Sequence, residues 1–344
     1  MEKNNLAPII LFVYNRLDVI DKTVKSLKDN LFSEESELFI FSDGPKPGQE
    51  EKVNNVREYI KSIEGFKKIV IFESPKNKGL ANSVIDGVTK IVNEYGKVIV
   101  LEDDIITSPY FLKFANESLD FYEKDEEVAC ICGWNYNVKP AEEKTFFIKG
   151  ADCQAWATWK RAWNLFDADA KKLLLEIKKR KLENEFCFNY SYDFTSMLQQ
   201  QVEKKIDSWA IMWYASAFLN NKLCLYPSKS LIENIGFSSD ATHCKSSDPI
   251  YDVEIDNYTR IFPKINIKEN KKMREKWANY FNKSINRNEK MNNNFKLIKK
   301  IRYGNRRKIV ILGFIKFSYK KSQVINDEEI DYCKRFFSND GMSL

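Results

Sequence analysis

A single histidine, His243, stands among the 344 residues, so a histidine-based zinc site is not expected. The seven cysteines, Cys130, Cys132, Cys153, Cys187, Cys224, Cys244 and Cys333, are odd in number and lack paired CxxC spacing. They read as reduced, mostly buried thiols of a cytoplasmic protein. No apolar run approaches the ~20 residues that cross a bilayer, and Met1 to Ala7, with an acid and amides, does not read as a cleavable signal. Two phosphate cradles are also missing. The first apolar segment runs into Tyr14-Asn15-Arg16-Leu17 with no GxGxxG, and no GxxxxGK[ST] occurs. A plain dinucleotide-binding unit is therefore disfavoured, and phosphate charge has to be met by a metal ion and basic side chains.

What is present is led by Val98-Ile99-Val100-Leu101, an apolar run that reads as a buried strand and passes straight into Glu102-Asp103-Asp104. No packed core favours three adjacent anions. The pattern fits a strand that ends at a cleft and delivers oxygen ligands to Mg²⁺ or Mn²⁺, ions that suit phosphates. The plainer alternative is an acidic turn after a strand.

Around that motif the chain alternates. Strands are expected at Pro8 to Tyr14, Leu38 to Phe41, Lys68 to Glu73 and Val98 to Leu101. Helices are expected at Asp18 to Leu31, Lys52 to Ile63 and Leu80 to Tyr95. Such alternation predicts an α/β protein with a parallel sheet flanked by helices, whose ligands bind beyond the carboxyl ends of the strands. Asn15-Arg16, Ser42-Asp43-Gly44 and the three acids all fall at those ends. Beyond Pro109 the pattern becomes mixed, and six of the seven tryptophans lie between residues 134 and 213. Some belong to a core; others, by their flat faces, could line a sugar site.

Charge is unevenly spread. Residues 257–324 hold 20 Lys+Arg against 3 Asp+Glu, a net +17, which leaves the remainder at −11. A basic segment with spaced aromatics (Trp277, Tyr280, Phe281, Phe295) and the apolar run Ile309 to Ile315 suits an anionic membrane surface. Docking onto the acidic body is the competing expectation, and nucleic acid is disfavoured for want of a recognised motif.

In order along residues 7 to 250, several motifs resemble those of GT-A-fold nucleotide-sugar glycosyltransferases, and within them N-acetylglucosaminyltransferase I and its bacterial relatives. The motifs are Pro8 to Arg16, Phe41-Ser42-Asp43-Gly44, Asn77-Lys78-Gly79-Leu80-Ala81, and Val100 to Ile105 followed by Ser108-Pro109-Tyr110-Phe111. Cys132-Gly133-Trp134-Asn135, Gln154-Ala155-Trp156, Asp207-Ser208-Trp209, Ile235-Gly236-Phe237 and Thr242-His243 continue the likeness. Ser208 stands where the family has a second acid.

The resemblance implies a Rossmann-like mixed sheet flanked by helices over 1–256, with a nucleotide-sugar half to about 105 and an acceptor half beyond it. Residues 257–344 would form the basic extension. It implies an inverting, metal-dependent transfer of a sugar, GlcNAc being suggested, from a UDP-sugar to an acceptor hydroxyl in bacterial lipopolysaccharide or capsule synthesis. The acceptor would be a glycan, lipid-linked where the extension meets the inner face of the cytoplasmic membrane. In these roles Arg16 and Lys78 contact the nucleotide, Asp43 binds uracil, Asp103 lies toward the ribose and Glu102 toward the donor sugar. Asp104 is the protein ligand of Mn²⁺ or Mg²⁺, with His243 a weaker candidate, and Trp134, Trp156 and Trp209 shape the sugar pocket. Asp207 is the expected general base; the alternative is that it caps the apolar run Trp209 to Leu219. Asp193 is the reserve base. Two rival readings are a catalytically silent nucleotide- or glycan-binding module of the same fold and a transferase with another donor.

Overall fold

The computed structural model describes residues 6–236, 253–257 and 262–283. His243 and the apolar run at 309–315 lie outside them. The amino-terminal part is three β-α repeats and a fourth strand. Strand β1 (Ile9–Val13) leads to α1 (Leu17–Lys28), β2 (Glu37–Ser42) to α2 (Glu50–Lys61), and β3 (Lys68–Glu73) to α3 (Leu80–Tyr95), which returns to β4 (Lys97–Glu102). All five residues of β1 are buried, as befits a strand covered on both faces. Helix α3 shows how locally its bounds are written. Gly79 opens it at φ +81°, Ala81, Val84, Val88, Ile91 and Val92 bury one face, and Gly96 ends it in the left-handed region with its N–H on the Val92 carbonyl.

The second half is less regular. A short β5 (Ile105–Thr107) precedes α4 (Phe111–Phe121), β6 (Val128–Cys132), β7 (Thr145–Lys149) and β8 (Trp156–Trp159). Helices α5 (Lys160–Trp163), α6 (Ala170–Lys179), α7 (Glu183–Phe186), α8 (Phe194–Val202) and α9 (Trp209–Leu219) follow, then β9 (Leu223–Pro227) and β10 (Ile232–Asn234). The large sheet has the order β3-β2-β1-β4-β8-β6-β9-β7. Its first four strands are parallel, β8 runs antiparallel to both β4 and β6, and β9 is parallel to β6. The sheet is therefore mixed. Because β8 is reversed, the residues that enter it, Asp152 to Gln154, come to the same edge as the ends of β4, β6 and β9.

Four tryptophans form one stack inside this half. Trp156 lies 5.3 Å from Trp209 and 5.6 Å from Trp163, and Trp163 lies 5.2 Å from Trp213, centroid to centroid. The basic segment contributes to the same core. A helix over residues 271–283 buries Met273, Trp277 and Phe281, spaced four apart, to within 2% exposure. Phe147 bridges Glu269, the Lys149 N–H donates to Glu269 Oε1 at 3.1 Å, and the Trp277 indole donates to Asn135 Oδ1 at 3.0 Å. The change of composition after Asp256 is thus no break in packing as far as residue 283. Among the described residues, no helix is long and apolar enough to cross a membrane.

One loop is strained. Phe188, Asn189 and Tyr190 are consecutive left-handed residues, with φ of 49°, 60° and 57°. At about 1–2 kcal/mol each for residues with a Cβ, such a run persists only where its surroundings impose it.

Candidate active site

The three acids stand where β4 ends and the chain turns into β5. Glu102 is the last residue of β4, and β5 pairs antiparallel with β10, so a short ribbon leaves the sheet directly over the cluster. The Ile235 N–H donates to the Asp104 carbonyl at 2.9 Å. At Gly236 a Cβ would fall 2.0 Å from Asp104 Oδ2, so only glycine lets the backbone come this close. All three carboxyls lie deep while keeping an edge on the cleft. Burial, and then the charges of Asp104 and Asp103, push Glu102 well above the carboxylate range; the Trp209 indole N–H opposes this. Asp103 is raised by burial and by Asp104, against the Tyr14 N–H that donates to its Oδ2 at 3.1 Å and the charge of Arg16. Burial raises Asp104 too, and Arg16 again counteracts it.

Asp104 Oδ1 is buried with no hydrogen-bond partner. An uncompensated carboxylate oxygen among acids that repel one another fits a hard divalent cation. Among the described residues no set of three or more His, Cys, Asp or Glu forms a ready cage. A cation here would hold to Asp104 and complete its shell from water and substrate oxygens.

Asp43, at the end of β2, is the opposite case. Its Oδ1 accepts from the N–H groups of Gly44 and Lys78 at 2.8 and 2.9 Å. Its Oδ2 accepts from Asn77 Nδ2, Lys78 N and Gly79 N at 3.0–3.1 Å. A carboxylate offers about four lone-pair directions, and the loop fills them. Asp43 therefore holds the entrance to α3 in place. Lys78 reaches it through its backbone; the ammonium is exposed and pairs with Asp86 at 2.9 Å. Arg16 Nη1 donates to the Gly236 carbonyl at 3.4 Å, so it joins the start of α1 to the backbone over Asp104.

Asp207 sits against that same entrance: a Cβ on Gly79 would lie 2.8 Å from its Oδ2. Ser208, not Asp207, caps α9, its hydroxyl accepting from the Ile211 N–H at 3.4 Å. Asp207 is exposed and, among the described residues, makes no hydrogen bond or ion pair. Asp193 is a cap, accepting from Ser196 N at 2.9 Å at the start of α8. The tryptophans separate as well. Trp156 and Trp209 are 1% and 2% exposed inside the core stack, although the Trp209 indole reaches Glu102. Trp134 is as buried, at 1% exposure, and lines a cavity that also takes in Cys153 and Gln154.

Three partners were given no role by the sequence, although Gln154 stands in one of its motifs. Gln154 Oε1 accepts from Asn234 Nδ2 at 3.0 Å, and Asn234 Oδ1 accepts from Gly236 N at 2.8 Å, tying β8 and β10 into one frame around Asp104. Thr23 of α1 donates to the Asp103 carbonyl at 2.7 Å.

Residues 9–175 match the family model described as glycosyl transferase family 2. The chain is a glycosyltransferase. The matched region holds β1 to β4, the acids, Asp43 and the residues that enter β8, so the geometry above is that of a glycosyltransferase of GT-A fold. Among solved structures the glycosyltransferase chain is similar to a mannosyltransferase from Pyrobaculum calidifontis in complex with GDP-Man and Mn²⁺. The identity is 12% and the TM-score 0.27, over 38% of this chain and 36% of that one. It is also similar to S. aureus TarS 1–349 in complex with UDP, at 13% identity and a TM-score of 0.33, over 66% of this chain and 59% of that one. The chain thus spans between about a third and three fifths of the length of these two relatives. No curated protein matches it.

Proposed function

We propose that this glycosyltransferase moves a sugar from a UDP-sugar to an acceptor hydroxyl in a single displacement, with inversion at the anomeric carbon. The observation that carries the reading is the orphaned Oδ1 of Asp104 within a set of acids short of hydrogen-bond donors. Such a group is costly without a positively charged partner, and a divalent cation held at Asp104 would satisfy it. Mn²⁺ or Mg²⁺ bound at Asp104 would supply stabilisation of the negative charge that develops on the leaving diphosphate.

The chain's own residues do the rest. Arg16, held beside Asp103 and Asp104, meets the remaining phosphate charge. Asp43 acts by fixing Asn77 to Gly79, whose loop forms the nucleotide side of the cleft; uracil contact belongs to that loop as much as to the acid. Glu102 and Asp103 orient the donor sugar and ribose by accepting their hydroxyls. Asp207, released from capping by Ser208, withdraws the proton of the acceptor hydroxyl as its oxygen attacks the anomeric carbon and the bond to the diphosphate breaks. General-base help of this kind is worth roughly 10²–10⁴ in rate.

A GlcNAc donor and a place in bacterial surface-glycan assembly rest on the likeness of the motifs to N-acetylglucosaminyltransferase I. Approach to an anionic membrane on the cytoplasmic side, and so to a lipid-linked glycan, rests on the net +17 of residues 257–324. The deciding experiment is a thermal-shift panel of UDP-, GDP- and dTDP-sugars, each with Mn²⁺ and with EDTA. A ligand at a hundredfold excess over Kd stabilises by about 2.7 kcal/mol. A shift confined to UDP compounds, deepened by Mn²⁺ and lost in Asp104→Asn, is expected. Equal shifts with GDP compounds, or none with any nucleotide, would overturn it.

A further inference from the structure

Beside the acids, away from Asp43, lies a cavity of about 150 Å³. Its walls are largely aromatic: Tyr136 after β6, Phe188 and Phe194 of the strained loop and α8, Tyr214 of α9, and Trp277 and Phe281 of the 271–283 helix. Two charged residues, Asp152 and Lys149, line it too, but the Asp152 carboxyl accepts from Cys153 N, Gln154 N and the Tyr226 hydroxyl, and the Lys149 ammonium pairs with Glu185 at 3.0 Å. Gln154 and Ser208 line it as well. Gln154 bonds Asn234, which holds Gly236 over Asp104, and Ser208 stands between Asp207 and the Trp209 that reaches Glu102. The cavity is thus linked to Asp104 through Gln154, Asn234 and Gly236, and its wall residue Ser208 adjoins the base Asp207 in the chain.

We propose that this cavity is an acceptor subsite for a compact apolar group, about the size of a benzene ring, carried by the molecule that receives the sugar. The proposal rests on the glycosyltransferase reading above and deepens it. Size is the first argument, since an apolar cavity of about 150 Å³ stays dry and takes up benzene. Polarity is the second. The Trp277 indole N–H donates to Asn135 Oδ1, the Tyr214 hydroxyl to the Phe186 carbonyl at 2.8 Å, and the Tyr226 hydroxyl to Asp152 Oδ2 at 3.2 Å. These polar ends are already engaged by protein partners, so a pyranose inserted here would strand its hydroxyls, whereas an apolar ring or short acyl group would not. Gln154 and Ser208, on the side of the acids, can meet the hydroxyls of the sugar that carries the group.

The third argument is strain. Phe188, which lines the cavity, begins the run of three left-handed residues. Arg274 holds it there: the guanidinium stacks on the Phe188 ring at 4.3 Å, donates to the Glu185 carbonyl and pairs with Glu269 at 3.1 Å. A packing defect needs no such bracing, and backbone strain of this kind gathers where a ligand is gripped. Arg274 is a positioning residue, and the basic segment earns its place here by closing a pocket.

The test uses the full chain and three probes: benzene, methyl β-glucoside, and UDP with Mn²⁺. Binding is followed by thermal shift and by saturation-transfer NMR of the probe. Benzene is expected to bind saturably, at least tenfold tighter than methyl β-glucoside. The filled variants Ala210→Leu and Met197→Phe, two wall positions on different helices, each should weaken benzene at least tenfold. Benzene binding that survives in both variants overturns the proposal. So does preference for methyl β-glucoside, or absence of benzene binding in protein that still responds to UDP. The UDP response is read separately in the same samples. Its absence from wild-type protein that binds benzene would instead overturn the donor reading, and the acceptor role with it.

Discussion

Two carboxylates on one edge of the same sheet are provided for in opposite ways. Asp43, after β2, receives five donor contacts from Gly44 and the Asn77–Gly79 loop. Asp104, after β4, has a buried oxygen with no partner and two acids as neighbours. Both positions cost desolvation, yet only the first is repaid within the protein. The difference separates framework from function: a satisfied acid fixes the backbone around it, and a starved one waits for something with positive charge.

The comparison breaks most visibly through Asp104→Asn. Transfer should fall by about 10³ or more, because a neutral amide no longer balances a cation at the leaving group. Unfolding in urea at pH 8 should show the same variant more stable by about 1 kcal/mol, since a buried carboxyl that burial and its acid neighbours keep from ionising freely is gone. Loss of activity together with loss of stability would place Asp104 in the framework instead.

Asp207 is a third kind of acid, exposed and without either donors or repelling neighbours among the described residues. Asp207→Asn should lower kcat by roughly 10²–10⁴ and leave the UDP–Mn²⁺ thermal shift intact. A normal kcat would remove it from the chemistry. Asp43→Asn should behave as the converse of Asp104→Asn. It replaces two acceptor oxygens with one, sets an NH₂ against N–H groups, and should cost about 1–3 kcal/mol in unfolding free energy. Hydrogen exchange should show the loss first at Lys78 and Gly79.

The smallest effect is on pH dependence. Glu102, Asp103 and Asp104 are all raised in the folded protein, chiefly by burial, so the folded state binds more protons than the unfolded one. Stability contributed by these groups is therefore greatest below the ordinary carboxylate range and declines as pH rises until the acids ionise in the fold. Asp104→Asn should flatten that decline in urea titrations between pH 4 and 8; an unchanged slope would mean the acids do not feel one another.

Much of this frame is legible in the residues, and the limit of legibility is distance along the chain. Leu80 to Tyr95 is a helix at its expected bounds because its glycine ends and buried stripe are local signals. The acids after Leu101 stand out for the same reason. Asp207 precedes an apolar run and suits a cap as well as a base, and the cap went to Ser208 beside it, an outcome set by backbone geometry. The five contacts on Asp43 come largely from a loop more than thirty residues on. Trp156 and Trp209 look alike to a sequence reader as ring faces for a sugar, but they stack on each other. In residues 271–283 composition and pattern disagree. The lysines suggest a solvated surface, while Met273, Trp277 and Phe281 mark a stripe that packs, and burial followed the stripe.

The tryptophan stack has one more consequence. Its outermost indole, Trp209, touches Glu102, and through Trp156 it is electronically near Trp163 and Trp213. Four close indoles share excitation, so a change in charge at Glu102 alters near-ultraviolet circular dichroism and emission from the whole group. The arrival of a donor at the acids can thus be followed optically in unlabelled protein, with Trp209→Phe as the variant that silences the signal.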